Sequence, residues 1–136
     1  MSNCIFCKII AGEIPSRKIF ENDSVFAILD INPVSRGHLL VIAKKHTETL
    51  SEMEEEGIAP LFSAVRRLGR AVQKVTGADG FNVIVNNGPA AGQVIPHTHV
   101  HVIPRFVGDG LQEWPHIKLA DQEMDELAGQ IAGAVG

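Results

Sequence analysis

Residues 94–104, Val94-Ile95-Pro96-His97-Thr98-His99-Val100-His101-Val102-Ile103-Pro104, decide the fold. Three of the chain's six histidines fall within five positions here, at every second residue. Side chains on a strand alternate between faces, so a strand over 94–103 points His97, His99 and His101 the same way. Their rings then stand in a row, about 6.5–7 Å between next neighbours. Thr98, Val100 and Val102 point to the other face, and the two valines enter the core. Imidazole titrates near neutral pH, so neighbours in such a row can divide the work. One is neutral and nucleophilic while another is protonated and donates. The bland alternative is a solvent-facing strand that happens to be histidine-rich. The strict alternation, and the scarcity of histidine elsewhere, count against it. A metal site is a further alternative, but H-x-H alone is a weak zinc signal and no carboxylate lies nearby in sequence.

Outward from this strand, the loop Asn87-Gly88-Pro89-Ala90-Ala91-Gly92-Gln93 leads back to a strand over 80–86. Before it, residues 49–76 read as helical. Ser51 with Glu54 matches a capping box. Gly57 and Pro60 predict a break, with a second helix from near Ile58. Leu61, Val65, Leu68, Val72 and Val75 step by three and four along one face, and Gly77 suits a C-cap. Arg66, Arg67, Arg70 and Lys74 occupy the other side and read as a solvated face. His38-Leu39-Leu40-Val41-Ile42 is an apolar strand covered on both faces. Lys18–Glu21 and Ser24–Asp30 around Asn22-Asp23 read as a hairpin. Residues 107–118 look irregular, and Asp121 caps a last helix with Met124, Leu127 and Ile131 on its buried side. Strands, helix, strands, helix in this order predict an α+β fold with five mainly antiparallel strands and two main helices.

At 136 residues the chain reads as one domain, 1–136, with 45% apolar and 21% charged residues. A net charge of −4 offers no basic field for nucleic acid. No apolar run reaches the roughly 20 residues that span a bilayer, so no membrane partner is expected. The opening MSNCIFCKIIAGEIPS has no basic region followed by an apolar one, so a cytoplasmic location with reduced Cys4 and Cys7 is expected. Cys4-x-x-Cys7 leaves two readings open, a pair of buried thiols or half of a four-ligand zinc site. A redox pair lacks its βαβ context.

The segment His97-Thr98-His99-Val100-His101-Val102-Ile103 resembles the H-φ-H-φ-H-φ-φ signature (φ apolar) of the histidine triad (HIT) family of nucleotide hydrolases and transferases. Thr98 is the one departure. Ile5-Phe6 with Lys8-Ile9-Ile10, Glu13-Ile14-Pro15, Leu29-Asp30-Ile31-Asn32-Pro33, Gly37–Ile42, Lys44-Lys45-His46, Asn86–Pro89 and Gly92-Gln93 resemble further family segments. The nearest likeness is to the small bacterial and Hint-like homodimers. The resemblance implies a HIT-like fold whose sheets join across a homodimer, with the long helix at the seam. It implies attack at the α-phosphate of phosphoramidate- or adenylate-type purine nucleotides, through a covalent nucleotidyl-histidine, with a purine nucleotide such as AMP or GMP as the bound partner. His99 matches the nucleophile, His101 the residue that stabilises the phosphate and donates a proton, and His38 a fourth, supporting histidine. Asp30 matches the ribose contact. Ile5, Phe6, Ile9, Ile28 and Ile31 match the base pocket. Asn86, Gly92, Gln93, Val94 and Ile95 match the phosphate side, although Val94 departs from the usual serine or threonine. Relatives with the Cys-x-x-Cys motif hold structural zinc, which here implies Cys4, Cys7, His46 and His97, and His97 also matches the catalytic triad position that orients His99. Trp114 matches a tryptophan near the partner's site. A noncatalytic nucleotide-binding or scaffolding protein is the other functional class the sequence leaves open.

Overall fold

The structure, a computed structural model, describes residues 3–112 and 114–136. Glu113, beside Trp114, lies outside them. Strand β1 (Lys18–Glu21) turns back into β2 (Val25–Leu29), as the Asn22 turn predicts: Asn22 Oδ1 accepts from the Ser24 and Val25 N–H groups. Strands β3 (Leu39–Ala43), β4 (Gly80–Ile84) and β5 (His99–Arg105) complete an antiparallel sheet of order β1-β2-β3-β5-β4. Helix α1 (Ile5–Ile10) lies on one face and α2 (Glu55–Thr76) on the other. Helix α3 (Asp121–Ala134) ends the chain. No helix among the described residues is long and apolar enough to cross a membrane.

Each face of the sheet has its own core. Val25, Ala27, Leu39, Val41, Val100 and Val102 pack under Leu61, Ala64, Val65, Leu68 and Val72 of α2. Phe26, Ile28, Leu40 and Ile42 pack under Phe6 and Ile9 of α1. All five residues of β3 are buried, which is why its sequence shows no polar alternation. The register pairs Leu40 with His101 and Ile42 with His99, so these two histidines emerge on the α1 face.

Several expectations need correction. The histidine strand starts at His99, not Val94, because Pro96 has no N–H for a ladder and His97 bonds back to Ile95 O. Its partner β4 correspondingly ends at Ile84 opposite His101, not at Asn86. Helix α2 runs through Pro60 unbroken from Glu55. Proline removes one bond at a cost of about 3 kcal/mol, whereas the large buried side chains below it contribute about 1.5–3 kcal/mol each, so packing wins. The capping box does not form: Glu54 is the N-cap without a side-chain bond, and Ser51 Oγ meets Thr49 Oγ1. On α3, Met124, Leu127 and Ile131 are exposed rather than buried, and Asp121 is the first helical residue after an Ala120 cap.

Candidate active site

The α1 face carries a cavity of about 400 Å³ lined by Phe6, Asp30, His38, His99 and His101, with the Asn86–Ile95 loop on its far side. A more apolar hollow of about 320 Å³ between α2 and Arg36–Gly37 contains no cluster of titratable groups, so the chemistry belongs with the histidines. Strand pleat brings His99 and His101 together, 5.0 Å between ring centroids. Phe6, delivered by α1, sits edge-on at 4.9 Å from His99 and 5.9 Å from His97. His97 therefore keeps to the same side of the sheet as the other two, yet it does not line the cavity and is fully buried.

Hydrogen bonds assign the tautomers. His99 Nδ1–H donates to the His97 carbonyl at 2.6 Å, which leaves the lone pair on Nε2. The Val34 N–H donates to His38 Nδ1 at 3.0 Å, so His38 carries its proton on Nε2. That proton is given to His101 Nδ1 at 3.0 Å, with Asp30 Oδ2 as an alternative acceptor at 3.4 Å. His101 in turn holds its proton on Nε2. Asp30, His38 and His101 converge closely enough to suggest a cation. The proton on His38 Nε2 occupies the ligand position, so the trio is a hydrogen-bond relay.

Burial dominates the titration of this group. It pushes His99 below the ordinary imidazole value, against the His97 carbonyl and the Asp30 charge, which pull the other way. Burial lowers His38 too, opposed by Asp30. His101 falls to about 4, through burial first and then the neighbouring His99 and His38. The three cavity histidines are therefore neutral at pH 7, in contrast to the expectation that one histidine of the row is already protonated. An anion arriving beside His101 would favour its charged form.

A second cluster lies behind His99. Cys4 at the N-cap of α1 and Cys7 in its first turn place their Sγ atoms 3.3 and 3.6 Å from His97 Nδ1. His46 Nδ1 is 3.4 Å from Cys7 Sγ and 3.0 Å from His97 Nδ1. His97 Nε2–H donates to the Ala43 carbonyl at 2.6 Å, which bares Nδ1 toward the thiols. Four donors about 2.0–2.3 Å from one centre would stand about 3.3–3.8 Å apart, close to the spacings seen. Two sulfurs, two imidazoles and a carbonyl behind one imidazole form a donor set suited to zinc.

The remaining sequence candidates divide. Ile31, Asn86, Gly92, Val94 and Ile95 line the cavity with Asp30. Ile9 and Ile28 are buried in the α1-side core, and Ile5 is 43% exposed beside the Cys4 and His46 surface. Gln93 spends its amide on backbone groups, accepting from Gly88 N–H and donating to the Ile95 carbonyl and, across to the segment ahead of α2, the Glu48 carbonyl. Asn32, Val34 and Leu40 also line the cavity, beyond the residues to which the sequence pointed. Leu40 had no signal of its own, because β3 is apolar throughout and its sequence does not show which residues face the cavity. Val34 acts through its backbone, for which side-chain chemistry gives no signal. Trp114 is 76% exposed and borders a neighbouring hollow with Val34, Asn82 and Arg105, so it plugs no core in its own chain.

The family model for the HIT domain matches residues 11–108. A curated relative, adenylylsulfatase HINT3 of Arabidopsis thaliana, is 45% identical over 98% of this chain and 68% of its own length. Adenosine 5'-monophosphoramidase hnt1 of Schizosaccharomyces pombe is 36% identical over 98% of each. Among solved structures, SMU.412c from Streptococcus mutans superposes with a TM-score of 0.94 at 42% identity, covering 100% of this chain and 87% of that one. A zinc-bound histidine triad family protein from Mycobacterium smegmatis superposes with a TM-score of 0.78 at 36% identity, covering 98% of this chain and 99% of that one.

Proposed function

The chain belongs to the HIT-domain family, and from that membership we propose that it hydrolyses purine nucleotides carrying a displaceable group on the α-phosphate, with His99 as nucleophile. The observation that carries this reading is the 2.6 Å bond from His99 Nδ1–H to the His97 carbonyl, which holds the lone pair on Nε2. Lowering of the His99 pKa by burial keeps that lone pair available at neutral pH.

In the first step Nε2 forms a bond to the α-phosphorus as the bond to the leaving group breaks. The departing atom keeps the electron pair and takes a proton from His101, charged by then beside the anionic phosphate. His38 can turn its Nε2–H to Asp30 Oδ2 when His101 Nδ1 becomes protonated. Water then attacks the phosphorus, the electron pair returns to Nε2, and the proton of the water passes to His101. Asp30 is a carboxylate suited to the ribose hydroxyls, while Phe6 and Ile31 offer apolar contact to the base. The relatives' names supply two leaving groups on the same AMP unit: an amine in a monophosphoramidate and sulfate in an adenylyl sulfate.

We also assign structural zinc to Cys4, Cys7, His46 and His97. The ion would supply a rigid cross-link between α1 and the segment ahead of β5. A homodimer joined along the open outer edge of β4 fits the same reading.

Turnover of adenosine 5'-phosphoramidate by the purified protein, read as AMP released, tests the function. His99→Ala is expected to lower kcat by roughly 10³-fold or more while AMP still binds. Unchanged turnover in the variant would remove His99 from the nucleophile's role. AMP binding with no turnover of phosphoramidate or adenylyl sulfate by the parent would favour a noncatalytic binding protein.

A further inference from the structure

Thr98 stands where the family signature has an apolar residue, and its surroundings explain the departure. It lies between His97 and His99 and is 1% exposed. Its hydroxyl meets Thr47 Oγ1 at 2.7 Å and donates to the Thr47 carbonyl at 3.1 Å. Its N–H donates to that same carbonyl at 2.8 Å, and its own carbonyl accepts from Ala43 N–H at 3.2 Å. Ala43 O in turn receives the His97 ring. Residues 43–47 thus grip the His97-Thr98 pair at both ends, and that short segment also carries His46. Pro96 prevents the β-ladder from continuing here, so nothing regular fixes this stretch.

We infer that Thr47 and Thr98 form a hydroxyl clamp that holds His46 and His97 in register and, through the His97 carbonyl, positions His99. The last part rests on His99 being the nucleophile. Both threonines are positioning residues, since neither lines the cavity. Thr98 is buried, and its hydroxyl is committed to Thr47 rather than to any of the histidines. A valine there would keep the shape of threonine and lose both side-chain bonds. The Thr47 hydroxyl would then lose its buried partner, and the carbonyl of Thr47 would keep only the backbone donor. The two segments would be free to slide, opening the spacing between His46 and His97 Nδ1, now 3.0 Å.

The test compares the parent with Thr98→Val, Thr98→Ser, Thr47→Val and the double valine variant. Zinc affinity is read by chelator competition, and kcat and KM are read separately on adenosine 5'-phosphoramidate. Thr98→Val is expected to weaken zinc binding about tenfold or more, as loss of an outer-shell partner does. It should lower kcat about tenfold with KM within about twofold, because the base and ribose contacts are untouched. Thr98→Ser restores both, and the double variant loses no more than either single one, as two groups acting as a unit require. A Thr98→Val protein that holds zinc as tightly as the parent overturns the clamp. If Thr98→Val does not fold, Thr47→Val, whose side chain is less buried, decides the same question. A parent that turns over no phosphoramidate, yet loses zinc readily on either substitution, keeps the clamp and removes the nucleophile reading instead.

Discussion

At the scale of single residues, the site works by committing each ring nitrogen to one partner. A main-chain carbonyl fixes His99, a main-chain N–H fixes His38, and His38 then fixes His101. Two backbone groups and one side chain therefore dictate three tautomers. This division gives a prediction that separates the roles of the two cavity histidines. An amine leaves only when protonated, whereas sulfate leaves as a stable anion. His101→Gln is expected to slow phosphoramidate hydrolysis by roughly 10²–10⁴-fold and adenylyl sulfate hydrolysis far less. Equal losses on the two substrates would show that His101 stabilises phosphate charge without supplying the proton. The pairing of His99 with His101 is legible in the alternation of residues 99–101. The role of Val34 is not, because a backbone N–H has no letter of its own.

At the scale of elements, α2 shows how burial overrides local punctuation. Gly57 and Pro60 read as a break, yet Leu61, Ala64, Val65, Leu68 and Val72 are all buried against the sheet and hold the helix through them. Gly69 on the same helix has a different reason to be glycine. A Cβ there would lie 2.5 Å from Cε2 and Cζ of Phe81 on β4. Valine should cost about 1–3 kcal/mol of overpacking, more than the few tenths gained in helix propensity over glycine. Gly69→Val is expected to lower Tm by roughly 3 °C or more; a thermal melt with an unchanged or raised midpoint would show that Phe81 yields without loss. The stepped apolar face of α2 was readable from spacing alone as far as Val72, whereas Val75, expected on the same face, is exposed in the last turn. The close approach of α2 to Phe81 was not readable, since that partner lies beyond a turn and on another element.

At the scale of the whole molecule, two features ask for conditions beyond one chain at pH 7. Burial holds both His38 and His101 below their unfolded values, against the opposing pull of the Asp30 charge. Between an unfolded value of about 6.5 and the His101 value of about 4, the unfolded chain binds more protons than the folded one, so stability rises with pH there. The stabilising contribution is complete above the unfolded value and is lost on acidification through about 4. Melting temperature is expected to fall steadily over that window, and His101→Gln should flatten the slope; an unchanged slope would locate the acid sensitivity elsewhere. The second feature is apolar surface. Helix α3 exposes Met124, Leu127 and Ile131, and a helix of 14 residues is marginal alone in water. With the open edge of β4, this predicts a homodimer, to be checked by light scattering on the eluting protein. A monomer at micromolar concentration would refute it.

Whatever depends on period and on neighbours along the chain could be read from the residue order. The two-residue alternation set His99 and His101 on one face and Val100 and Val102 on the other. The apolar run after His38, through Ile42, marked a strand covered on both sides, and the three-and-four spacing of α2 marked its buried stripe as far as Val72. Folding in three dimensions was needed to fix where the histidine strand begins, which nitrogen of each ring is free, and how His97 leaves the row to join Cys4, Cys7 and His46. The last of these joins groups 39 to 93 residues apart, brought within hydrogen-bond reach by the packing of α1 and the pairing of β3 with β5. Local periodicity has no information about such distances, because they are set by closing the chain on itself.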